Sequence, residues 1–342
     1  MDARLPATSQ RGRGRALPAA LILLVAVIAA ACAGPATTAT PAPAATATAA
    51  PTAAASATPA AAFPLTITDD EGTVVDIPAE PQRIVSLTPA ATETLFALGL
   101  GSRVVGKVED FSLYPPEAAS VPDVAKFGSV DVEQIVGLEA DLVIAGGSNF
   151  NPPEAIARLR SLGVPTIVIF APDLETALSD IVLIGRAAGR PDEAASLADS
   201  IVDAFDAVAA ATRDLARKRV FYELDASSGF FGPAPDYFGT EMIELAGGEP
   251  LTSGRDGVYQ IEAEQIVAFD PEVILLGDAA YGVTPEQVAE RPGWDVLTAV
   301  RNGDVRPIDD VIVTRPGPRL VDGIRALALA IHPDLVLPSP VP

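Results

Sequence analysis

The sequence predicts an α/β protein of two Rossmann-like lobes with central, mostly parallel sheets, joined by one long helix, and three observations carry that expectation. Ser129–Ala145 and Gln260–Leu276 share one pattern: each holds Glu-Gln-Ile-Val, starting at Glu133 and Glu264, then an acidic residue, Asp141 or Glu272, then an apolar run short enough for a buried strand. Thr92–Gly99 and Thr240–Gly247 echo each other in the same order, each reading as a capped helix ended by glycine. Between the halves, Leu197, Ile201, Phe205, Val208 and Leu215 recur at three-to-four spacing. Any α/β chain repeats amphipathic helices and Val/Ile strands, so one match alone carries little; two in order point to duplication, with a period too long for a solenoid.

A length of 342 residues allows two ordinary domains, but the amino terminus belongs to neither. Arg4, Arg11, Arg13 and Arg15 precede an apolar run, Leu17–Ala31, that is short for a membrane span, and the small residues Ala29, Ala30 and Ala31 lead into Cys32. Residues 1–31 therefore read as a secretory signal peptide. Cys32 is the only cysteine, which excludes an intramolecular disulfide and a cysteine-rich metal site. Its setting resembles the lipobox of bacterial lipoproteins, with Ala29 where leucine is usual; a plain secreted protein with an incidental cysteine is the alternative. Residues 32–62 are the lipidated cysteine and an Ala/Thr/Pro stretch without periodic apolar face or charge, expected to be a disordered tether. Loss of residues 1–31 removes four arginines and one aspartate, so the formal charge moves from −22 to about −25, a body that repels nucleic acid and anionic lipid.

The body divides into an amino-terminal lobe at 63–188, a linking helix at 189–218 and a carboxy-terminal lobe at 219–342. Thr73–Ile77 and Arg83–Leu87 read as strands around a Pro-rich turn; Thr88 opens a helix that ends near Gly99, and Arg103–Gly106 is the next strand. The glycines at 99, 101 and 106 have the wrong spacing for a dinucleotide loop, and the first two follow a helix. After an irregular stretch, Asp110–Phe127, come the Glu133 helix, a strand at Leu142–Ala145, a helix near Pro153–Leu162, the strand Thr166–Phe170 and a helix at Leu174–Ala188. Strands alternating with helices argue for parallel sheets covered on both faces. Pro191, followed by Asp192 and Glu193, restarts a helix that Arg217, Lys218 and Arg219 are expected to close; at 1.5 Å per residue it would run roughly 40 Å. The second lobe places strands at Val220–Leu224, Val273–Leu276 and Val305–Ile308, helices at Thr240 and Glu264, a turn at Thr314–Leu320 and a last helix over Leu320–Ile331.

Pro81–Pro89, Thr92–Leu100, Tyr114-Pro-Pro-Glu-Ala118, the Glu133 block and Arg315-Pro-Gly-Pro-Arg319 through Gly323 together resemble the iron-complex and cobalamin class of ABC-importer substrate-binding proteins, over Phe63 to Pro333. The resemblance implies a ligand cleft between two lobes joined by one helix, no enzymatic activity, and no cofactor of the protein's own. It further implies a metal chelate as cargo, cobalamin or a ferric siderophore or haem, a lipid anchor in the bacterial membrane, and an ABC permease with its ATPase as partner, for a monomeric binder without nucleic acid. By position, Tyr114, Phe127, Phe230, Phe231 and Tyr259 correspond to cleft aromatics, whose flat rings suit a macrocycle; core packing is the competing reading for each phenylalanine. Arg315 and Arg319 flank a turn that fixes their backbones and are expected to recognise an anionic group, with ordinary salt bridges as the alternative. Glu133 and Glu264, one per lobe, resemble the glutamates that meet permease arginines, though each is also a favourable first-turn acid.

A free ferric-ion carrier is one rival reading, with Tyr, Asp and Glu as ligands. His332 is the lone histidine and reads as a helix-end residue interacting with the dipole, not as a metal ligand. An α/β enzyme is the other rival, but Gly-x-Ser-x-Gly, a phosphate loop and clustered His or Cys are all missing from the sequence.

Overall fold

The computed structural model describes residues 63–112, 114–252 and 259–338; the signal segment, Cys32 and tether expected in 1–62 lie outside the described residues. The amino-terminal lobe runs β1 (Leu65–Thr68), β2 (Val74–Ile77), β3 (Ile84–Ser86), α1 (Pro89–Ala97), β4 (Val104–Val108), β5 (Asp123–Lys126), β6 (Ser129–Val130), α2 (Val132–Gly137), β7 (Leu142–Gly146), α3 (Pro153–Ser161), β8 (Thr166–Ile169) and α4 (Leu174–Ala187). The connector is α5 (Pro191–Thr212). The second lobe follows with β9 (Lys218–Glu223), β10 (Phe230–Phe231), α6 (Phe238–Leu245), β11 (Gly248–Pro250), β12 (Gln260–Ile261), α7 (Ala263–Phe269), β13 (Val273–Leu276), α8 (Pro285–Ala289), α9 (Thr298–Asn302), β14 (Val305–Pro307), α10 (Asp310–Thr314) and α11 (Leu320–Ile331).

The first sheet has the order β6-β5-β4-β3-β7-β8 and is parallel apart from β6; the second is β11-β9-β13-β14, all parallel. The path β4-β3-β7-β8 thus recurs as β11-β9-β13-β14, and the duplicated motifs fall on α2–β7 and α7–β13. Even the strand-entry chemistry repeats. Asp141 accepts from the Arg83 amide at 2.9 Å, and Glu272 from the Arg219 amide at 3.1 Å. Each arginine then donates its Nε to the closing helix, Arg83 to the Leu138 carbonyl at 2.6 Å and Arg219 to that of Phe269 at 3.0 Å.

Strand β7 is buried on both faces: Leu142 and Ile144 join one apolar cluster with Ile181, Ile201 and Phe205, whereas Val143 and Ala145 join another with Ile135 and Leu159. Period-two alternation places successive side chains on opposite faces, so an unbroken Val/Ile/Leu run is what a doubly covered strand requires. In β13, Val273 and Leu275 go one way and Ile274 and Leu276 the other. Helix α5 buries Ile201, Phe205 and Val208. Its close seat on α4 depends on Gly185, where an added Cβ would stand 2.1 Å from the Ala194 Cβ.

The structure corrects three local expectations. Helix α5 has 22 residues, roughly 33 Å, and stops at Thr212; the Thr212 hydroxyl sits 3.1 Å from its own Val208 carbonyl and 2.9 Å from that of Leu245, tying the helix end to α6. The basic trio is not on the helix, for Arg217 donates to the Gly248 carbonyl at 2.7 Å while Lys218 and Arg219 open β9. Thr92 and Thr240 lie inside their helices: Thr88 caps α1, and α6 starts at Phe238 with no side-chain cap. His332 sits at the carboxyl-terminal cap of α11, buried, with Nε2 3.2 Å from the Gly247 carbonyl, and burial lowers its pKa. Beyond the elements read from sequence, β1, the short strands β5, β6 and β10–β12, and helices α9 and α10 all follow from pairing or tertiary contact.

Candidate functional site

In an open parallel sheet the ligand crevice lies beyond the carboxyl ends of the strands. Past β4 the chain enters Asp110, Phe111, Ser112 and Tyr114; past β7, which ends at Gly146, come Gly147 and Phe150; past β9 and β13 come Phe230 and Phe231, then Asp278 and Tyr281. The two lobes meet through these ends. Phe111 of the first lobe faces Tyr281 of the second with ring centroids 6.4 Å apart, and both rings are largely exposed, at 69% and 74%. Rings that stay in water on a folded protein present free apolar surface.

The turn between α10 and α11 crosses to the first lobe. Gly317 packs on α1, where an added Cβ would lie 3.6 Å from the Ala90 carbonyl. Arg315 makes a two-point fork with Asp110, Nη1 to Oδ2 and Nη2 to Oδ1 both at 2.7 Å, and also donates to Ser112 Oγ at 3.0 Å and Glu93 Oε1 at 3.1 Å. Arg319 forks onto Glu93, Nε to Oε2 at 2.9 Å and Nη2 to Oε1 at 2.6 Å. Glu93 is 2% exposed. Burial works against the Asp110 charge, but the Arg315 fork and the Ser112 amide outweigh it and hold its pKa below the ordinary value. Burial likewise opposes the charge on Arg315, and Asp110 and Glu93 more than restore it. These arginines therefore join the lobes and offer their forks to largely buried carboxylates of the chain itself.

Each predicted cleft aromatic has a definite place. Tyr114 is 41% exposed and stacks under the Arg319 guanidinium, 4.0 Å from its centroid. Phe127, in the β5–β6 turn, is 77% exposed and meets Phe150 edge-on at 6.1 Å. Tyr259 is partly exposed and meets Tyr237 edge-on at 6.2 Å. Phe231 is half-buried on β10. Phe230 leans on Trp294 at 5.0 Å, with the Arg291 guanidinium 5.2 Å from its ring, so much of its surface supports the second lobe's own core. Arg291 is itself fixed by the fully buried Glu223, Nη1 to Oε2 at 2.5 Å and Nη2 to Oε1 at 2.7 Å.

Sequence reasoning passed over Glu93, Asp110, Phe111, Phe150, Tyr281 and the Glu223–Arg291 pair. Glu93 left one signal: a lone carboxylate inside the otherwise uncharged helix Pro89–Ala97. Asp110 and Phe111 left little, since they lie in an irregular segment.

Glu133 and Glu264 occupy the same position, the second residue of α2 and of α7, and both are exposed. Among the described residues no three His, Cys, Asp or Glu side chains gather where they could hold a metal ion, and no helix is long and apolar enough to cross a membrane.

The sequence profile of the family described as "Periplasmic binding protein" matches residues 84–311. An ABC transporter substrate-binding lipoprotein of Bacillus subtilis, YvrC, is 33% identical over 277 residues, covering 80% of this chain and 87% of that one. Among solved structures, the periplasmic vitamin B12 binding protein of Vibrio cholerae superposes with a TM-score of 0.63 at 26% identity, covering 74% of this chain and 97% of its own. The periplasmic haem-binding protein RhuT of Roseiflexus sp. RS-1 gives 0.64 at 27%, covering 74% and 98%.

Proposed function

The chain belongs to the periplasmic binding protein family, as an extracytoplasmic substrate-binding protein of an ABC importer, and we propose that its cargo is a metal chelate, cobalamin before a ferric siderophore or haem, held between the carboxyl ends of its two sheets. The family consists of binding proteins, not enzymes. The observation that carries the cargo reading is the set of exposed rings at those ends: Phe111, Tyr114 and Phe127 on one lobe, Tyr259 and Tyr281 on the other. Flat, rigid aromatic surface gives a macrocycle much contact for little ordering entropy. Relatives that bind vitamin B12 and haem support the class.

The cross-lobe arginines favour cobalamin within it. With Arg315 taken by Asp110 and Arg319 by Glu93, an anionic ligand has to displace a buried carboxylate, whereas the amide-rich periphery of a corrinoid does not. The same pairing disfavours a bare ferric ion, because Glu93 and Asp110 are already engaged by cations.

In this proposal Cys32 carries the lipid, as in the Bacillus subtilis relative, and the mature protein is a monomer that delivers its cargo to a permease and its ATPase by docking through Glu133 and Glu264. Uptake by cells lacking this protein tests the cargo: import of cobalamin should fall and return with the gene. Unchanged uptake of cobalamin, haem and ferric siderophores alike would remove the reading.

A further inference from the structure

Resting on the docking reading above, we infer that the permease contact on each lobe has an apolar half: Val136 and Val267, each one helical turn beyond the docking glutamate. The two helices match residue by residue. Asp131-Val-Glu-Gln-Ile-Val136 and Glu262-Ala-Glu-Gln-Ile-Val267 each place an acid at the cap, a second acid two residues on, a fully buried isoleucine and then an exposed valine. Val136 is 40% exposed and Val267 37%, while Ile135 and Ile266 are at 0%. Residues three apart share a helix face, so Glu133 with Val136 and Glu264 with Val267 form two like patches of one carboxylate beside one aliphatic side chain.

A single exposed valine needs no explanation. Two at equivalent places, beside equivalent acids, on halves with the same strand path, form a repeated surface that packing does not demand, for α2 and α7 each bury a single isoleucine. Both patches are also held in place the same way. The turn after each helix carries a non-glycine residue with positive φ, Glu139 at 52° just past the Leu138 cap of α2 and Asp270 at 49° at the cap of α7, and each closing turn is hooked by an arginine from the neighbouring strand entry, Arg83 or Arg219.

Val136 borders a groove of about 390 Å³ between α2 and α3, lined by Val132, Glu133, Val136, Arg158 and Leu162, and Leu162 is 44% exposed. A carboxylate beside three aliphatic side chains fits a partner surface that carries an arginine or lysine next to an aliphatic knob. The chain's formal charge of −22 adds to the attraction for such a basic surface. Two like patches need two like receptors, which a permease built from two copies of one subunit supplies. The carboxylate contributes attraction that salt screens; the valine and the groove contribute burial that salt leaves in place.

The test measures binding of the full lipoprotein to its ABC permease and ATPase, purified together in lipid nanodiscs, at low and high salt. Val136→Ser, Val267→Ser and Leu162→Ser should each raise Kd about five- to tenfold at both salt concentrations. Glu133→Gln should lose affinity at low salt and little more at high salt. The mutated side chains are exposed, so melting temperature and cargo affinity should match wild type. If the Val136→Ser, Val267→Ser double variant binds as wild type while Glu133→Gln weakens binding, the apolar inference falls and carboxylate docking stands. If Glu133→Gln and Glu264→Gln also bind as wild type, the docking reading falls with it.

Discussion

Glu93 of the first lobe and Arg319 of the second grip each other through two hydrogen bonds of 2.9 and 2.6 Å, and Arg319 lies at the same time over the ring of Tyr114 at 4.0 Å. The lobes are thus tied twice, through α5 and through a charged clasp at the mouth between the sheets. Arg315 keeps Asp110 as a second partner, but among the described residues Arg319 has only Glu93, so replacing this 2% exposed carboxylate by a neutral group leaves the Arg319 guanidinium without a counter-charge.

Glu93→Gln should therefore destabilise the body by about 3 kcal/mol. Arg319→Met alone should also destabilise, and the double variant should recover part of the loss, because the substitutions remove one shared interaction. Urea unfolding of the four proteins measures this; strictly additive losses would contradict the clasp.

Asp180 on α4 supplies a pH dependence. Its burial, with Asp70 beside it, pushes its pKa up to about 9, and Oδ1 has no hydrogen-bond partner. The folded value exceeds the ordinary 3.8, so the stabilisation it gives is complete below the ordinary value and is lost as pH rises toward 9. Asp180→Asn, which keeps a donor for Asp70 and cannot ionise, should match wild type near pH 4 and become more stable than it by a few kcal/mol at pH 8. Thermal unfolding across that range checks the sign, and parallel curves would show that Asp180 does not ionise differently on folding.

Charge reversal at the docking face should separate transport from binding. Glu133→Arg or Glu264→Arg is expected to leave folding and cargo affinity unchanged while cutting uptake at least tenfold, since a like-charge contact costs several kcal/mol at an interface. Normal uptake by either variant would leave the glutamates as helix-start residues only.

The parts of this protein that were legible in the sequence are those set by local pattern. Leu142–Ala145 and Val273–Leu276 announce doubly buried strands by being uniformly apolar, and the paired Glu-Gln-Ile-Val segments announce a duplication that the sheet order repeats. The end of α5 was not legible, because Arg217, Lys218 and Arg219 suit a helix terminus by charge, and only the contact of Thr212 with Leu245 decides otherwise. The roles of Arg315 and Arg319 depend on Asp110 and Glu93, more than two hundred positions away. No periodicity encodes such a partner. The same distance hid the hooks from Arg83 and Arg219, although the acids they meet, Asp141 and Glu272, were visible as part of the repeat.

The central claim, a chelate bound without chemical change between two aromatic-lined sheet ends, is tested most directly by calorimetric titration of cobalamin into the wild-type protein and the Tyr114→Ala, Tyr259→Ala double variant. Wild type should bind one cobalamin per chain and release it intact, and the double variant, still folded, should bind at least tenfold more weakly. Equal affinity in both proteins, or no cobalamin binding by wild type while a free metal ion binds, would contradict it.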